Sequence, residues 1–147
     1  MAETYTERFH EIHELAGATV DTFAAGIHEV MTYRSMANHQ KAELVVVVGE
    51  IAQGAEFDIA LWQATDAAGT DAKAITGKQI LGSQALGSEN SVYLVEVRTE
   101  ELDVSNGFAY IGGQLIVTGD VEMAIIGFLS AANHPPVATT NWTEIVE

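Results

Sequence analysis

KAELVVVVGEIAQGAEFDIALWQ, residues 41–63, decides how this chain is read. Its first half carries an unbroken apolar run, Leu44 followed by Val45, Val46, Val47 and Val48. β-Branched side chains are stiff and pack well on a pleated surface, so the run predicts a strand, and its continuity predicts burial on both faces. Past the Gln53-Gly54 turn the pattern changes. Phe57, Ile59 and Leu61 alternate with Glu56, Asp58 and Ala60. Alternation with period two marks a strand with one dry face and one wet face.

The segments on either side extend this pattern. IHEVMTY, residues 27–33, places Ile27, Glu29, Met31 and Tyr33 on one face of an earlier strand. NSVYLVEVRTE, residues 90–100, turns Tyr93, Val95 and Val97 inward and Glu96 and Arg98 outward. Asn106-Gly107 is a strong turn signal, and Gly112-Gly113 inside the apolar FAYIGGQLIVTGD stretch predicts a bulge or bend between two strand pieces. VEMAIIGFLSA, residues 121–131, is the last long apolar run, and its β-branched content and Gly127 favour a strand over a helix. Seven or eight strands with short turns and no internal repeat predict an all-β protein, an antiparallel β-sandwich with the jelly roll as one form of it.

Two flanks stand outside the sandwich pattern. Residues 1–26 carry Phe9, Ile12 and Leu15 at three-residue spacing, which fits either a short amphipathic helix or an arm laid over a neighbour. The domain proper then runs over residues 27–147 and ends in a tail. There His134-Pro135-Pro136 removes two backbone donors and forces an extended course, and Trp142 follows among polar residues.

Composition narrows the function classes. Twenty-one acidic against six basic residues leave a formal net charge of −15. Nucleic-acid binding depends on Lys and Arg displacing counterions from phosphates, so direct binding to DNA or RNA is not expected, nor is adsorption to anionic membranes. The first ten residues are polar and acidic and no apolar run approaches the ~20 residues of a membrane-spanning helix, so the chain reads as soluble and unexported. Zero cysteines exclude disulfides, thiolate nucleophiles and cysteine-ligated zinc.

The tempting motifs dissolve on inspection. HEIHE, residues 10–14, resembles the zinc-protease signature, but that motif needs histidines four apart, and His10 and His13 are three apart. Glu14 or His28 stands at no persuasive spacing to complete a metal site. Ser88, Ser91 and Ser105 lack a Gly-x-Ser-x-Gly elbow, and Gly77-Lys78 lacks the order of a phosphate loop and reads as a turn. Acidic pairs such as Glu100-Glu101 arise freely in so acidic a chain. Trp62 and Trp142 are equally suited to core filling and to a binding surface. The expectation is no enzyme, no catalytic residue, no metal and no cofactor.

Taken in order, LVVVVGEIAQGAEFDIALWQATDAAGTDAKAITGKQI, VYLVEVRTEELDVSNGFAYIGGQLIV and IIGFLSAANHPPVATTNWTEIVE resemble a family of small structural proteins encoded among the head genes of tailed phages. The likeness covers the chain from about Ile27 onward and lies in the order and spacing of these blocks. It departs from the family's usual pattern in the long N-terminal segment and at His134-Pro135-Pro136, where an Arg-aromatic-Pro sequence is commoner. The resemblance implies a β-sandwich decoration or cement protein on the outside of the virion head. Its partner would be the major capsid protein, and self-association, most simply a trimer, would accompany binding. A tail-tube or head-completion protein and a carbohydrate-binding sandwich are the rival readings.

On this reading the interface residues are Phe9, Ile12 and Leu15 of the arm, Pro135, Pro136 and Trp142 of the tail, and the loop Asp66, Ala67, Ala68, Gly69 and Thr70. The loop is almost free of bulky side chains, so it could lie flat against a partner and trade backbone hydrogen bonds with it at little cost in rotamer entropy. A plain exposed hairpin connection explains its composition as well.

Overall fold

A computed structural model describes residues 20–130 and the backbone of Phe9–Glu14; for Ser130 only the backbone is described. The described residues form nine strands: β1 Phe9–Glu14, β2 Asp21–Phe23, β3 Gly26–Ser35, β4 Lys41–Ile51, β5 Glu56–Ala64, β6 Lys73–Ser83, β7 Ser91–Arg98, β8 Tyr110–Val117 and β9 Val121–Ser130. They make two antiparallel sheets. Sheet A has the order β1-β9-β4-β7, with β2 also paired to β9, and sheet B the order β3-β8-β5-β6.

The pairings are nested. β5 pairs with β6, β4 with β7, β3 with β8, and β1 and β2 with β9, all antiparallel. The chain is thus one long hairpin, doubled back at the loop of residues 65–72 and rolled so that successive pairs fall alternately into the two sheets. That strand order is a jelly roll, and it confirms the sandwich expected from sequence.

One buried layer fills the space between the sheets. Leu44, Val46 and Val48 of β4 join Val95 and Val97 of β7 and Met123, Ile125 and Leu129 of β9 on one side. Phe57, Ile59 and Leu61 of β5, Ile75 of β6 and Ile111, Leu115 and Val117 of β8 come from the other. The alternation of β5 therefore reads true for Phe57, Ile59 and Leu61 against Glu56 and Asp58, while Ala60 is buried as well. β4 does not match its expectation: Val47 is 39% exposed and Val45 only partly buried. In an antiparallel sheet nothing covers the outer face by necessity, and valine is tolerated there because its branched side chain suits a strand.

Three other expectations are corrected. Gly112 and Gly113 do not divide the strand, since β8 runs unbroken and keeps register with β5 through both. The glycines make room instead: a Cβ on Gly112 would lie 2.7 Å from the Tyr33 ring and one on Gly113 3.2 Å from Val30. The irregularity falls on β3, whose register with β8 shifts between Glu29 and Met31 and again between Met31 and Arg34. These shifts bury Val30 and Met31 side by side and leave Ile27 and Glu29 outside, so the four residues expected on one face are split. At the N-terminus, Phe9–Glu14 is a strand against β9 and not a helix. Three apolar residues at three-residue spacing are too few to specify a helix against a long strand with an open edge.

Leu44 is fully buried and Val47 faces outward three residues further along β4. Leu44→Ala is expected to lower unfolding free energy by about 2–5 kcal/mol, and Val47→Ala by no more than ~1 kcal/mol. Urea denaturation of the two variants checks this, and comparable losses would return β4 to a strand covered on both faces.

Candidate interaction surface

The loop between β5 and β6 is the tip of the doubled hairpin, and its hydrogen bonds are mostly internal. Asp66 Oδ1 accepts from the backbone N–H of Ala68 at 2.9 Å and of Thr70 at 3.0 Å, while the Thr70 hydroxyl donates to Asp66 Oδ2 at 2.6 Å. Thr65 N–H donates to Thr70 O, Gly69 N–H to Asp66 O and Ala72 N–H to Gly69 O. The hydroxyl and N–H of Thr70, with the N–H of Ala68, hold the Asp66 carboxyl below its usual range. A loop that satisfies so many of its own donors has few to trade with a partner.

Gly69 is small for a structural reason. Its φ is +80°, a left-handed conformation, and a Cβ there would stand 2.6 Å from the Tyr33 ring. The same ring closes on Gly112 of β8. Tyr33 thus pins the loop tip to the outer face of sheet B, and burial, with the charge of Glu29, raises its phenol above the ordinary range. Ala67, Ala68 and Thr70 remain exposed.

A second connection lies beside it. Lys73 Nζ donates to Asp103 Oδ2 at 2.7 Å and sits 3.9 Å from the centre of the Phe108 ring. Asn106 Nδ2 donates to Asp103 Oδ1, and Lys78 pairs with Glu101 at 2.8 Å. Gln63, buried at the end of β5, accepts from Asp103 N–H at 2.8 Å. These bonds tie the EELDVSNGF stretch to the start of β6, with Asn106-Gly107 closing a 3-10 turn as the signal predicted.

The surfaces that sequence reasoning passed over are the outer faces of the sheets. On sheet A, Val92 opposes Val47, which opposes Ala124, and Leu94 opposes Val45, which opposes Ile126. Val92 is 69% exposed and Leu94 60%. Below these apolar rows Glu43 and Glu96 stand opposite each other, and Lys41 bridges both. Its hydrogen bonds to Glu43 and then Glu96 raise the Lys41 ammonium above its usual range. On sheet B, Trp62 is half-buried beside Gly112.

Leu15, Pro135, Pro136 and Trp142 lie outside the described residues, and Phe9 and Ile12 are placed by backbone alone. Among the described residues no three His, Asp or Glu side chains are grouped to hold a metal ion. No described helix is long and apolar enough to cross a membrane.

Two measurements test the loop. Gly69→Ala should cost about 1–3 kcal/mol by urea denaturation, more than Gly54→Ala, because Gly54 has a similar φ of +79° but no atom within 4 Å of its would-be Cβ. Asp66, depressed in the folded state, stabilises the loop above the ordinary Asp range of ~3.9, and that contribution fades as pH falls through the lower folded value. The amide resonances of Ala68 and Thr70 should titrate there by NMR; a midpoint at or above the ordinary value would contradict the hydrogen-bonding scheme.

No protein-family model matches the sequence, and no curated protein sequence matches it at a significant level. Among solved structures, the chain is similar to a chain of infectious bursal disease virus, Gx strain, with a TM-score of 0.47 and 9% identity over 85% of this chain and 34% of that one. A chain of the cowpea mosaic virus top component, a naturally occurring empty particle, gives 0.41 and 5% over 94% and 97%. The CBM22-1-GH10 modules of Clostridium thermocellum xylanase 10B, complexed with xylohexaose, give 0.41 and 9% over 92% and 29%. The chain spans about a third of the bursal disease virus chain it matches. Likenesses this weak transfer no function, partner or site.

Proposed function

We propose that this chain is a non-enzymatic virion protein that binds the outside of an assembled phage head, mainly its major capsid protein, and stabilises the shell. The observation that carries the reading is the outer face of sheet A. Val47, Val92 and Leu94 stand exposed there in register, with Val45 and Ile126 between and beside them. β4 is paired on both sides and its register with β7 is unbroken, so the rows lie on a stiff surface. Contiguous outward apolar side chains on a rigid sheet suit adhesion, because burying them on a partner returns roughly 25 cal/mol per Å² with little further ordering.

The order of sequence blocks shared with phage head proteins supplies the kind of partner. A ligand that binds the assembled lattice and not its free subunits shifts assembly by mass action, and repetition over equivalent sites multiplies a modest contact. A net charge of −15 suits the outside of a shell better than the inside, where packaged nucleic acid concentrates negative charge. Self-association as a trimer on a local three-fold axis, burying apolar residues of the N-terminal segment such as Phe9, Ile12 and Leu15 between copies, belongs to the same proposal.

The test is co-sedimentation of purified protein with heads that lack it. Saturation at a copy number set by the lattice is expected, and Leu94→Asp should weaken binding about tenfold or more while leaving thermal stability nearly unchanged, because Leu94 is exposed in the free protein. Failure of the wild-type protein to bind heads, or polymerisation into tubes without them, would overturn the assignment.

A further inference from the structure

The outer face of sheet B carries a second apolar group, and a carboxylate lies at its centre. Asp58 on β5 opposes Leu81 on β6 and Ile116 on β8, and Ile116 in turn opposes Ile27 on β3. Leu81 is 60% exposed, Ile116 40% and Ile27 68%. With Leu86, Glu56 and Thr118, the first two of these apolar residues and Asp58 line an open depression of about 290 Å³. Asp58 Oδ1 is buried and has no hydrogen-bond partner among the described residues. Burial raises the Asp58 carboxyl above the ordinary carboxylate range.

This arrangement is unfavourable for the protein alone. A desolvated carboxylate oxygen without a donor destabilises the fold, and a leucine or asparagine there would cost less. Among the described residues the paired cations are committed elsewhere: Lys41 to Glu43 and Glu96, Lys73 to Asp103, Lys78 to Glu101 and Arg98 to Glu100. Arg34 lies opposite Ile111, toward the other end of β8 from Ile116. The depression therefore pairs a carboxylate that no described cation compensates with an apolar collar.

We infer that this depression is a docking site for an arginine side chain presented by a partner protein within an apolar surface of its own. A guanidinium is planar, weakly hydrated and always charged, so it can donate to Asp58 while its stem and faces lie on Leu81 and Ile116. Lysine would fit the charge less well, since an ammonium gives up more hydration to enter such a collar. The site is separate from the apolar rows of sheet A. Its assignment to the phage head as the source of the arginine rests on the function proposed above.

Two arms separate the site from that reading. In the first, the full chain with labelled methyl groups is titrated with butylguanidinium chloride, and with butylurea at matched ionic strength. Saturable shifts at Leu81 and Ile116 are expected with the cation only, and Asp58→Asn should abolish them while folding as stably as the wild type or more so. No saturable shift, an equal response to butylurea, or an unchanged response in the variant would overturn the docking site. In the second arm, Asp58→Asn is sedimented with heads, and a loss of affinity of about tenfold or more is expected. Wild-type binding that the variant retains in full would overturn the docking inference and leave head binding standing. If the wild type ignores heads, the function proposed above fails, and the first arm alone decides the site.

Discussion

Leu44, Val46 and Val48 from one sheet and Phe57, Ile59 and Leu61 from the other belong to one buried layer, and the nested pairing of the chain depends on it. Each strand has only one face to bury. A hairpin as long as this cannot remain flat, because its apolar face would stay wet; rolling it brings the two halves of that face together. The pairing order makes this feasible in entropy. β5 and β6 close a loop of eight residues, and each outer pair then closes on strands already held near one another, so the long β1·β9 pairing is not paid for as a single long loop.

The same constraint explains three of the glycines. A rolled sheet brings backbone and ring into close approach, and Tyr33 takes up the space above both Gly69 and Gly112, while the Phe57 ring occupies the place of a Cβ on Gly82. The small residues of the 65–72 loop are thus explained first by internal geometry. Asp66 and Thr70 close the loop on itself, and Tyr33 fastens it to sheet B.

How much of this was legible in the sequence depended on whether a local pattern carried the information. The period-two alternation of Phe57, Ile59 and Leu61 is local, and it located a real core strand. Tyr93, Val95 and Val97 behaved likewise. The valine run of β4 misled because strand preference and burial both favour valine, and sequence alone cannot separate them. The shifts of β3 against β8 were invisible because a bulge is a property of two strands and nothing in IHEVMTY marks it. Gly112-Gly113 announced a special backbone position, but the special feature was a ring packed on top. The outer-face surfaces went unread for a related reason: Leu81, Asp58, Ile116 and Ile27 are brought into one row by three separate pairings.

Those outer faces are where the proposed adhesion finds its physical support. Exposed valine or isoleucine on a strand is explained by strand preference and needs no partner. Leucine has no such excuse, and Leu94 and Leu81 are each 60% exposed on their strands, while Leu86 is 75% exposed in a 3-10 turn where strand preference has no meaning. A chain with 21 acidic side chains had ample polar alternatives for these positions. Asp58 points the same way from the opposite direction, since one of its carboxylate oxygens is buried with no donor among the described residues. Leucines where water should be and a buried carboxylate oxygen without a described donor are each costly to the isolated domain, and both costs are recovered if these faces are covered by another protein.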